Sequence, residues 1–453
     1  MKIDRRDFMR RTVGASGAVL LGSIAGGGIS RAIGNRPDPA SLPDPSQSGI
    51  KHIVVVTMEN RSFDHFLGWL PNPPTQIFPY PVLNNTNVEV STYPLAPDYQ
   101  GCGHPDPDHS YQGGRVEWND GAMNGWLLDE NNDIFSIGYY NQRDIPFFGT
   151  LATKYTTLGN YICSVLGPTY PNRIFMLAGQ TDRLDNTLSL VSLPTIFDEL
   201  YAAGVSARYY YSNLPFVALW GLKYLPISRT YDQFLDDAVH GRLPAVSFVD
   251  PRFTILDDDL ANDDVPHTNI RRGDAFLART FKAVARGPAW PSTVFIITFD
   301  EWGGFFDHIA PPRVVAPNGV DPDSADGVLL GFRVPAIIAS PWTRTNSSFL
   351  SDERIFDHTS ILKLIEWRWG LPPLTARDGS SEIGNLADVL DFSNKITRVP
   401  RLPTPRSPLP SPCFLQGLAP SVKQRAQVQV QVQTPWLRLS GSSLMEGWPV
   451  KKQ

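Results

Sequence analysis

Thr298-Phe299-Asp300-Glu301-Trp302-Gly303-Gly304-Phe305-Phe306-Asp307-His308 directly follows the apolar run Val294-Phe295-Ile296-Ile297. The run reads as a buried strand, so two adjacent carboxylates arrive where a strand leaves the core. Carboxylates in that position are costly unless positive charge sits against them. A second stretch repeats the pattern: Ile53-Val54-Val55-Val56-Thr57-Met58, β-branched and continuous, runs into Glu59-Asn60-Arg61-Ser62-Phe63-Asp64-His65-Phe66. Such runs belong to strands buried on both faces, and open α/β sheets place ligands at their C-terminal ends. Adjacent acidic pairs are more often solvated surface charges or helix caps. The apolar strand ahead of each pair sets these apart, and Glu59, Asn60, Asp300 and Glu301 form an oxygen set suited to a hard divalent cation.

A third stretch is Gly167-Pro168-Thr169-Tyr170-Pro171-Asn172-Arg173, continuing to Gly179. Pro171 suits a first helical turn and Gly179 a stop, which puts Thr169 just ahead of a short helix. A hydroxyl there faces free backbone N–H groups and the positive end of the helix dipole, a natural anion site; an ordinary cap or turn is its commoner use. A hydroxyl held in line with phosphorus and stripped of its proton cleaves phosphoesters through a covalent intermediate. A metal ion bound to that oxygen would lower its pKa, with Arg173 or backbone N–H groups helping to hold the anion. Among eight histidines, His109, His267 and His308 lie in polar loops beside carboxylates or proline and are candidates to protonate a leaving group. His52 and His240 read as structural or exposed, His358 as a cap or packing residue, and His65 and His104 are undecided.

The remaining chain alternates as an α/β protein should. Helices are expected over Thr195–Ala203, Gly273–Val284 and Thr359–Trp369, and strands over Ala207–Tyr211, Ala245–Val249 and Val334–Ala339. The implied architecture is a central, mainly parallel sheet with helices on both faces. Residues 71–148, rich in Pro, Asn, Gly and aromatics, read as an irregular but ordered insertion. Trp118, Trp126, Tyr139 and Tyr140, with Glu117 and Asp120, are candidates there for an aromatic, acidic site for a cationic headgroup, although loop packing is the plainer role.

The chain has 453 residues, 42% of them hydrophobic, and a formal charge of −5. Residues 1–32 carry a net +4, so the remainder carries −9, a balance that argues against nucleic acid as a partner. Asp4-Arg5-Arg6-Asp7-Phe8-Met9 and the Gly/Ala-rich stretch after it resemble a twin-arginine export signal, with cleavage expected near Ala32. Residues 33–49 read as a linker, 50–400 as the catalytic domain, and 401–453 as a Pro-rich, poorly ordered tail. Cys102, Cys163 and Cys413 make no disulfide framework. They leave one bridge, Cys102 with Cys413, as an open option in an oxidising compartment, while Cys163 reads as a buried hydrophobe.

Three segments together, Met58 to Phe66, Gly167 to Arg173, and Thr298 to Pro312, resemble a bacterial phosphoesterase family containing phosphatidylcholine-type phospholipases C and a periplasmic acid phosphatase. Asp106 to Ser110, Gly331-Phe332-Arg333-Val334-Pro335 and Phe356 to Ile361 add to the likeness, which covers about residues 52–371. The resemblance implies an alkaline phosphatase-like fold and a divalent metal ion of open identity on Glu59, Asn60, Asp300 and Glu301, with Thr169 as ligand and nucleophile. His109 and His267 match its phosphate-binding or acid histidines, His267 with Val265-Pro266-His267 departing from the usual order, and His308 matches less closely. The expected activity is an exported phospholipase C-type hydrolase cutting the glycerol-side phosphodiester of phosphatidylcholine-like lipids through a phosphothreonine. Thr at position 169 favours this over a broad acid phosphomonoesterase. A non-catalytic binding protein is the third option, although every core position holds a competent residue. The partners expected are a phospholipid or other phosphoester and, transiently, a membrane surface.

Overall fold

The computed structural model describes residues 42–71, 80–84, 86, 88–254, 259–322, 324–325, 327–343 and 354–416. The expected export signal and the start of the linker lie outside them. Within the linker, Pro45–Gln47 forms a 3-10 turn capped by Asp44.

Two strands read from the sequence form the centre of the molecule. β1 (His52–Met58) and β6 (Thr293–Phe299) pair in parallel along their whole length, His52 opposite Thr293 and Met58 opposite Phe299. With the two strands ending level, Glu59-Asn60 and Asp300-Glu301 must emerge side by side. The other strands are β2 (Thr156–Thr157), β3 (Ala207–Tyr211), β4 (Ser228–Thr230), β5 (Val246–Val249) and β7 (Ala336–Ala339), and the sheet order is β2-β7-β6-β1-β5-β3-β4. From β6 to β4 all neighbours are parallel. β7 runs antiparallel to β6, and β2 to β7, so the sheet is mainly rather than wholly parallel. Every residue of β5, β6 and β7 is buried, which is why these strands read as unbroken apolar runs instead of alternating ones.

The main helices are α1 (Phe63–Leu67), α2 (Tyr111–Trp118), α3 (Pro146–Lys154), α4 (Thr169–Ala178), α5 (Ile196–Ala202), α6 (Tyr231–Val239), α7 (Ile270–Arg286) and α8 (Thr359–Trp369). They cover the sheet in two groups, α3 and α6 packing on α7, and α5 and α8 packing on α4. α7 shows why: Ile270, Gly273, Asp274, Leu277, Phe281 and Val284 are buried at helical spacing, a single apolar stripe broken by one acid. That acid caps a neighbour. Asp274 accepts hydrogen bonds from the N–H groups of Phe147 (3.0 Å) and Phe148 (2.7 Å) at the start of α3, donors with no partner inside the helix.

In the periphery it is the tail, and not the insertion, that departs from expectation. The insertion is packed, with Trp126 and Tyr140 fully buried and the Tyr140 hydroxyl donating to the Asp98 carbonyl at 2.7 Å. The tail expected to be loose from residue 401 is held as far as Cys413, and its residues after 416 lie outside the described ones. Arg272 Nη1 donates to the Pro408 carbonyl (2.8 Å), Ser411 N to Asp259 Oδ2 (2.8 Å), and Gln100 Nε2 to the Ser411 carbonyl (2.9 Å). Cys413 closes the segment with a disulfide to Cys102. Proline removes donors from this segment but leaves its carbonyls free to accept, so a Pro-rich sequence is not by itself a loose one.

Burial pushes the Asp274 carboxyl up to about 7, against the opposing pull of the two N–H groups. Between about pH 4 and 7 the unfolded chain has lost this proton and the folded one keeps it, so Asp274's contribution to stability falls as pH rises. Asp274→Asn keeps one acceptor and loses the other, at a cost of about 1–2 kcal/mol, and it should flatten the stability slope in that window. Denaturant titrations at pH 5 and pH 7.5 measure both effects.

Candidate active site

The two acidic pairs meet at the C-terminal ends of β1 and β6. Asn60 N donates to Asp300 Oδ1 (3.2 Å), and its side-chain amide donates to Glu301 Oε1. Asn60 has a left-handed backbone, φ +60°, which Asn accepts more readily than most residues. Two glycines close the loops around it. A Cβ on Gly303 would lie 2.2 Å from the Asn60 carbonyl oxygen, and one on Gly304 would lie 2.5 Å from Pro107 Cβ. The Gly-Gly step thus lets the segment after β6 touch both the Asn60 turn and the loop carrying His109.

One guanidinium holds these carboxylates. Arg173 Nε lies 3.1 Å from Asp300 Oδ2 and 3.3 Å from Glu59 Oε1, and Nη1 lies 3.0 Å from Asp250 Oδ1. Asp250, just past β5, also accepts from the Tyr209 hydroxyl. Buried acid still exceeds base, with Glu59, Asp250, Asp300 and Glu301 set against Arg173 and His109. Burial is the largest influence on each and pushes all four carboxyls up, against the pull of Arg173 on Glu59, Asp250 and Asp300 and chiefly of His109 on Glu301. A cluster of hard oxygens with surplus negative charge in a dry setting fits a divalent cation.

The Gly167–Arg173 stretch is organised from within. Asn172 accepts from Val165 N (2.9 Å) and its amide donates to the carbonyls of Val165, Gly167 and Pro168. α4 therefore begins at Thr169, with Pro168 as its cap, one turn ahead of the arginine that grips Asp300. Thr169, Glu59, Asn60 and His109 line one cavity of about 480 Å³ together with Asp106. Asp300 and Glu301 are fully buried and stand behind it. The His109 Nδ1–H donates to the Pro107 carbonyl (2.8 Å), leaving Nε2 as the other face of the ring, 3.9 Å from Glu301 Oε1. Burial alone would push His109 down; Glu301, the Pro107 carbonyl and Asp108 lift it above its ordinary value.

Three expected participants sit elsewhere. Arg173 is consumed by the carboxylates and does not line the cavity. His267 does not line it either, although Val265 does; its Nε2–H donates to the His104 carbonyl at 3.0 Å. His308 belongs to a separate buried cluster. Its Nδ1 bonds Asp64, while Arg333 Nε lies 2.8 Å from Asp307 and Nη2 2.8 Å from Asp64. Ligand atoms of Asp64, Asp307 and His308 lie within 4.8 Å of one another and can hold a metal ion, but the Arg333 guanidinium already neutralises these carboxylates, and a cation would have to displace it. The aromatic headgroup site is also overturned. Trp118, Trp126, Tyr139 and Tyr140 do not line the cavity, and Glu117 is buried, accepting from Trp302 Nε1 at 2.7 Å.

Three contributors were not read from the sequence. Asp250 completes the hold on Arg173, yet a lone Asp after a short strand carries no signal of its own. His358 donates from Nε2 to the Asp300 carbonyl at 2.6 Å, its basicity lowered by burial to about 4. The third is the apolar wall of the cavity, built by Leu188, Leu214, Phe216, Leu219 and Phe253 with the ring of Tyr170. It comes from segments that looked like ordinary α/β connections.

Comparisons with known proteins agree with this picture. The chain is 32% identical to "Phospholipase C B" of Mycobacterium tuberculosis (strain CDC 1551 / Oshkosh), over 86% of each protein. It is 30% identical to "Non-specific phospholipase C6" of Arabidopsis thaliana, over 73% of this chain and 71% of that one. It superposes loosely, with TM-score 0.38 and 12% identity over 78% of this chain and 76% of the other, on a protein in the alkaline phosphatase superfamily from Vibrio parahaemolyticus; the family assignment rests on sequence and not on that superposition. The Phosphoesterase family matches residues 50–372. With this match, and with these relatives aligned over most of their length, the chain belongs to the Phosphoesterase family and is a phosphoric ester hydrolase.

Proposed function

We propose that this hydrolase is a phospholipase C-type enzyme that cuts the glycerol-side phosphodiester of phosphatidylcholine-like lipids, with Thr169 as nucleophile. The carrying observation is the double character of the cavity: Thr169, Glu59, Asn60 and His109 at one part of its lining, and Leu188, Leu214, Phe216, Leu219 and Phe253 at another. A phosphate ester with a long apolar alcohol matches both parts, whereas a small phosphomonoester leaves the apolar wall without a role. The phospholipase names of the aligned relatives support the same reading.

Glu59, Asn60, Thr169, Asp300 and Glu301 are the residues that would hold a divalent cation, which when bound supplies positive charge to acidify the Thr169 hydroxyl and to offset the phosphoryl oxygens. The start of α4 turns the positive end of its dipole toward the phosphoryl group, while its Tyr170 N–H is already taken by Asn186 Oδ1 at 2.8 Å. Thr169 gives its proton to the carboxylate cluster as Oγ1 bonds phosphorus, the bond to the glycerol oxygen breaks, and the protonated Nε2 of His109 delivers a proton to that oxygen. Water then attacks the phosphothreonine while neutral His109 takes up its proton. The phosphorylated headgroup leaves, and the carboxylate proton returns to Thr169. Arg173 acts at one remove, holding Glu59 and Asp300 in place.

We also propose export by the twin-arginine route, on the strength of Arg5-Arg6 and the Gly/Ala-rich stretch after them. The Cys102–Cys413 bridge supports an oxidising destination.

Purified protein offered phosphatidylcholine, sphingomyelin and an aryl phosphate monoester should release diacylglycerol and phosphocholine from the first; turnover of the monoester alone rejects the phospholipase reading. Thr169→Ala should lower kcat by at least about a thousandfold while circular dichroism stays unchanged, and quenched turnover of the wild type should yield a peptide phosphorylated at Thr169. Near-normal activity in the variant means another nucleophile is at work. Asp300→Ala should lose bound metal and activity together, read by elemental analysis of the purified protein; full metal stoichiometry in that variant rejects the proposed ligand set.

A further inference from the structure

Beyond the cavity itself, the segment 186–222 carries apolar side chains on two sides. Inward, Leu188, Leu214, Phe216 and Leu219 line the cavity. Outward, Leu190 is 73% exposed and Leu222 is 45% exposed. The two exposed leucines belong to one patch, since a Cβ on Gly221 would lie 3.9 Å from Leu190 Cδ2. The patch is also rigidly built. Val191 N donates to the Leu219 carbonyl (2.8 Å), Trp220 Nε1 to the Leu193 carbonyl (2.8 Å), and Arg183 Nη1 to the carbonyls of Thr187 (2.5 Å) and Ser189 (2.8 Å). Such stitching holds the leucines out in water at a standing cost. Single exposed apolar residues need no explanation, but these two lie two and three residues along the chain from the cavity-lining Leu188 and Leu219.

We infer that this segment is a docking lip that seats the enzyme on a zwitterionic phospholipid surface, with Leu190 and Leu222 entering the acyl region so that one lipid can pass into the cavity. The inference rests on the phospholipase reading and adds to it the surface through which substrate arrives. The shared segment argues for this occupant: it carries both the exposed leucines and part of the cavity lining, and a diacyl lipid leaving a bilayer for the cavity gains from apolar contact that removes the need to hydrate its chains. Charge argues for the zwitterionic kind. From 182 to 223 the chain carries Asp182, Asp185, Asp198 and Glu199 against Arg183, Arg208 and Lys223, and Lys223, beside Leu222, is paired with Asp198 at 2.8 Å. A polybasic surface made for anionic lipid would look different.

The test compares wild type, the double variant L190S/L222S, and L409S, which removes an exposed leucine of the C-terminal segment (88% exposed) as a control. Partition onto sedimented phosphatidylcholine vesicles should fall about tenfold or more in the double variant, with hydrolysis of those vesicles falling in parallel. Turnover of a soluble aryl phosphocholine diester should stay within about twofold, and L409S should match wild type throughout. Unchanged vesicle partition in the double variant overturns the inference, as does an equal loss on soluble and vesicle substrates. Stronger, salt-sensitive binding to phosphatidylglycerol vesicles overturns the zwitterionic assignment. A wild-type enzyme inactive even on detergent-dispersed phosphatidylcholine rejects the phospholipase reading itself, a result distinct from all of these.

Discussion

A single buried guanidinium carries the architecture of this site. Arg173 is held 3% exposed between Asp300, Glu59 and Asp250, and those three acids come from the ends of β6, β1 and β5. Neighbouring strands of the sheet are thereby tied at their tips by one side chain from α4, the helix that begins at Thr169. Breaking a buried ion cluster by removing one partner costs several kcal/mol, because the remaining charges have no water to turn to. The geometry of the nucleophile and of the carboxylates is therefore one problem with one solution: the helix cannot shift without uncovering the acids.

Around that core, the protein divides its work between polar loops and apolar ones. The turns after β1 and β6, with the His109 loop closed against them by Gly303 and Gly304, supply oxygen and imidazole. The segments 186–222 and 253–254 supply hydrocarbon. Arg333 repeats the Arg173 device in a second place, holding Asp64 and Asp307 with His308 alongside. That second cluster fastens the polypeptide on the far side of the Gly-Gly step to α1, which places His308 in support of the loop and not in the cavity. Two similar acid-and-histidine neighbourhoods thus serve different ends, and what separates them is the balance of charge: Arg333 faces two acids, Asp64 and Asp307, whereas Arg173 faces three, Glu59, Asp250 and Asp300, with Glu301 beside Asp300.

The outer layer constrains the site from a distance. Glu59 N donates to the Asp263 carbonyl at 2.8 Å, so the segment before α7 helps set the first acidic pair. The C-terminal segment in turn lies on Asp259 and Arg272 and is closed by the Cys102–Cys413 bridge. A covalent loop of 311 residues in sequence separation restrains the unfolded chain strongly, and here it also ties the insertion to the tail.

Much of this was legible in the linear chain. Unbroken β-branched runs ending in acid marked β1 and β6, and helix punctuation at Pro171 and Gly179 marked α4, because strand burial and helix ends impose local rules that residue type alone can satisfy. The mainly parallel class followed from alternation, and the oxygen set at Glu59, Asn60, Asp300 and Glu301 followed from two strand ends. What remained hidden depended on who sits next to whom. The fate of Arg173, an anion-holding candidate by spacing, was decided by three acids 77 to 127 residues away. His267 and His308 were withdrawn from the cavity by a carbonyl and a carboxylate that local pattern cannot place. The aromatics of the insertion became core, and unremarkable leucines of 186–222 became the cavity wall, since a side chain's surroundings are set by packing across the whole chain. Sequence alone determined which chemistry the strand ends carry; only the tertiary structure decided which charges are already spent on each other and which surface is left to meet a substrate, because pairing and burial are properties of distance in space and not of distance along the chain.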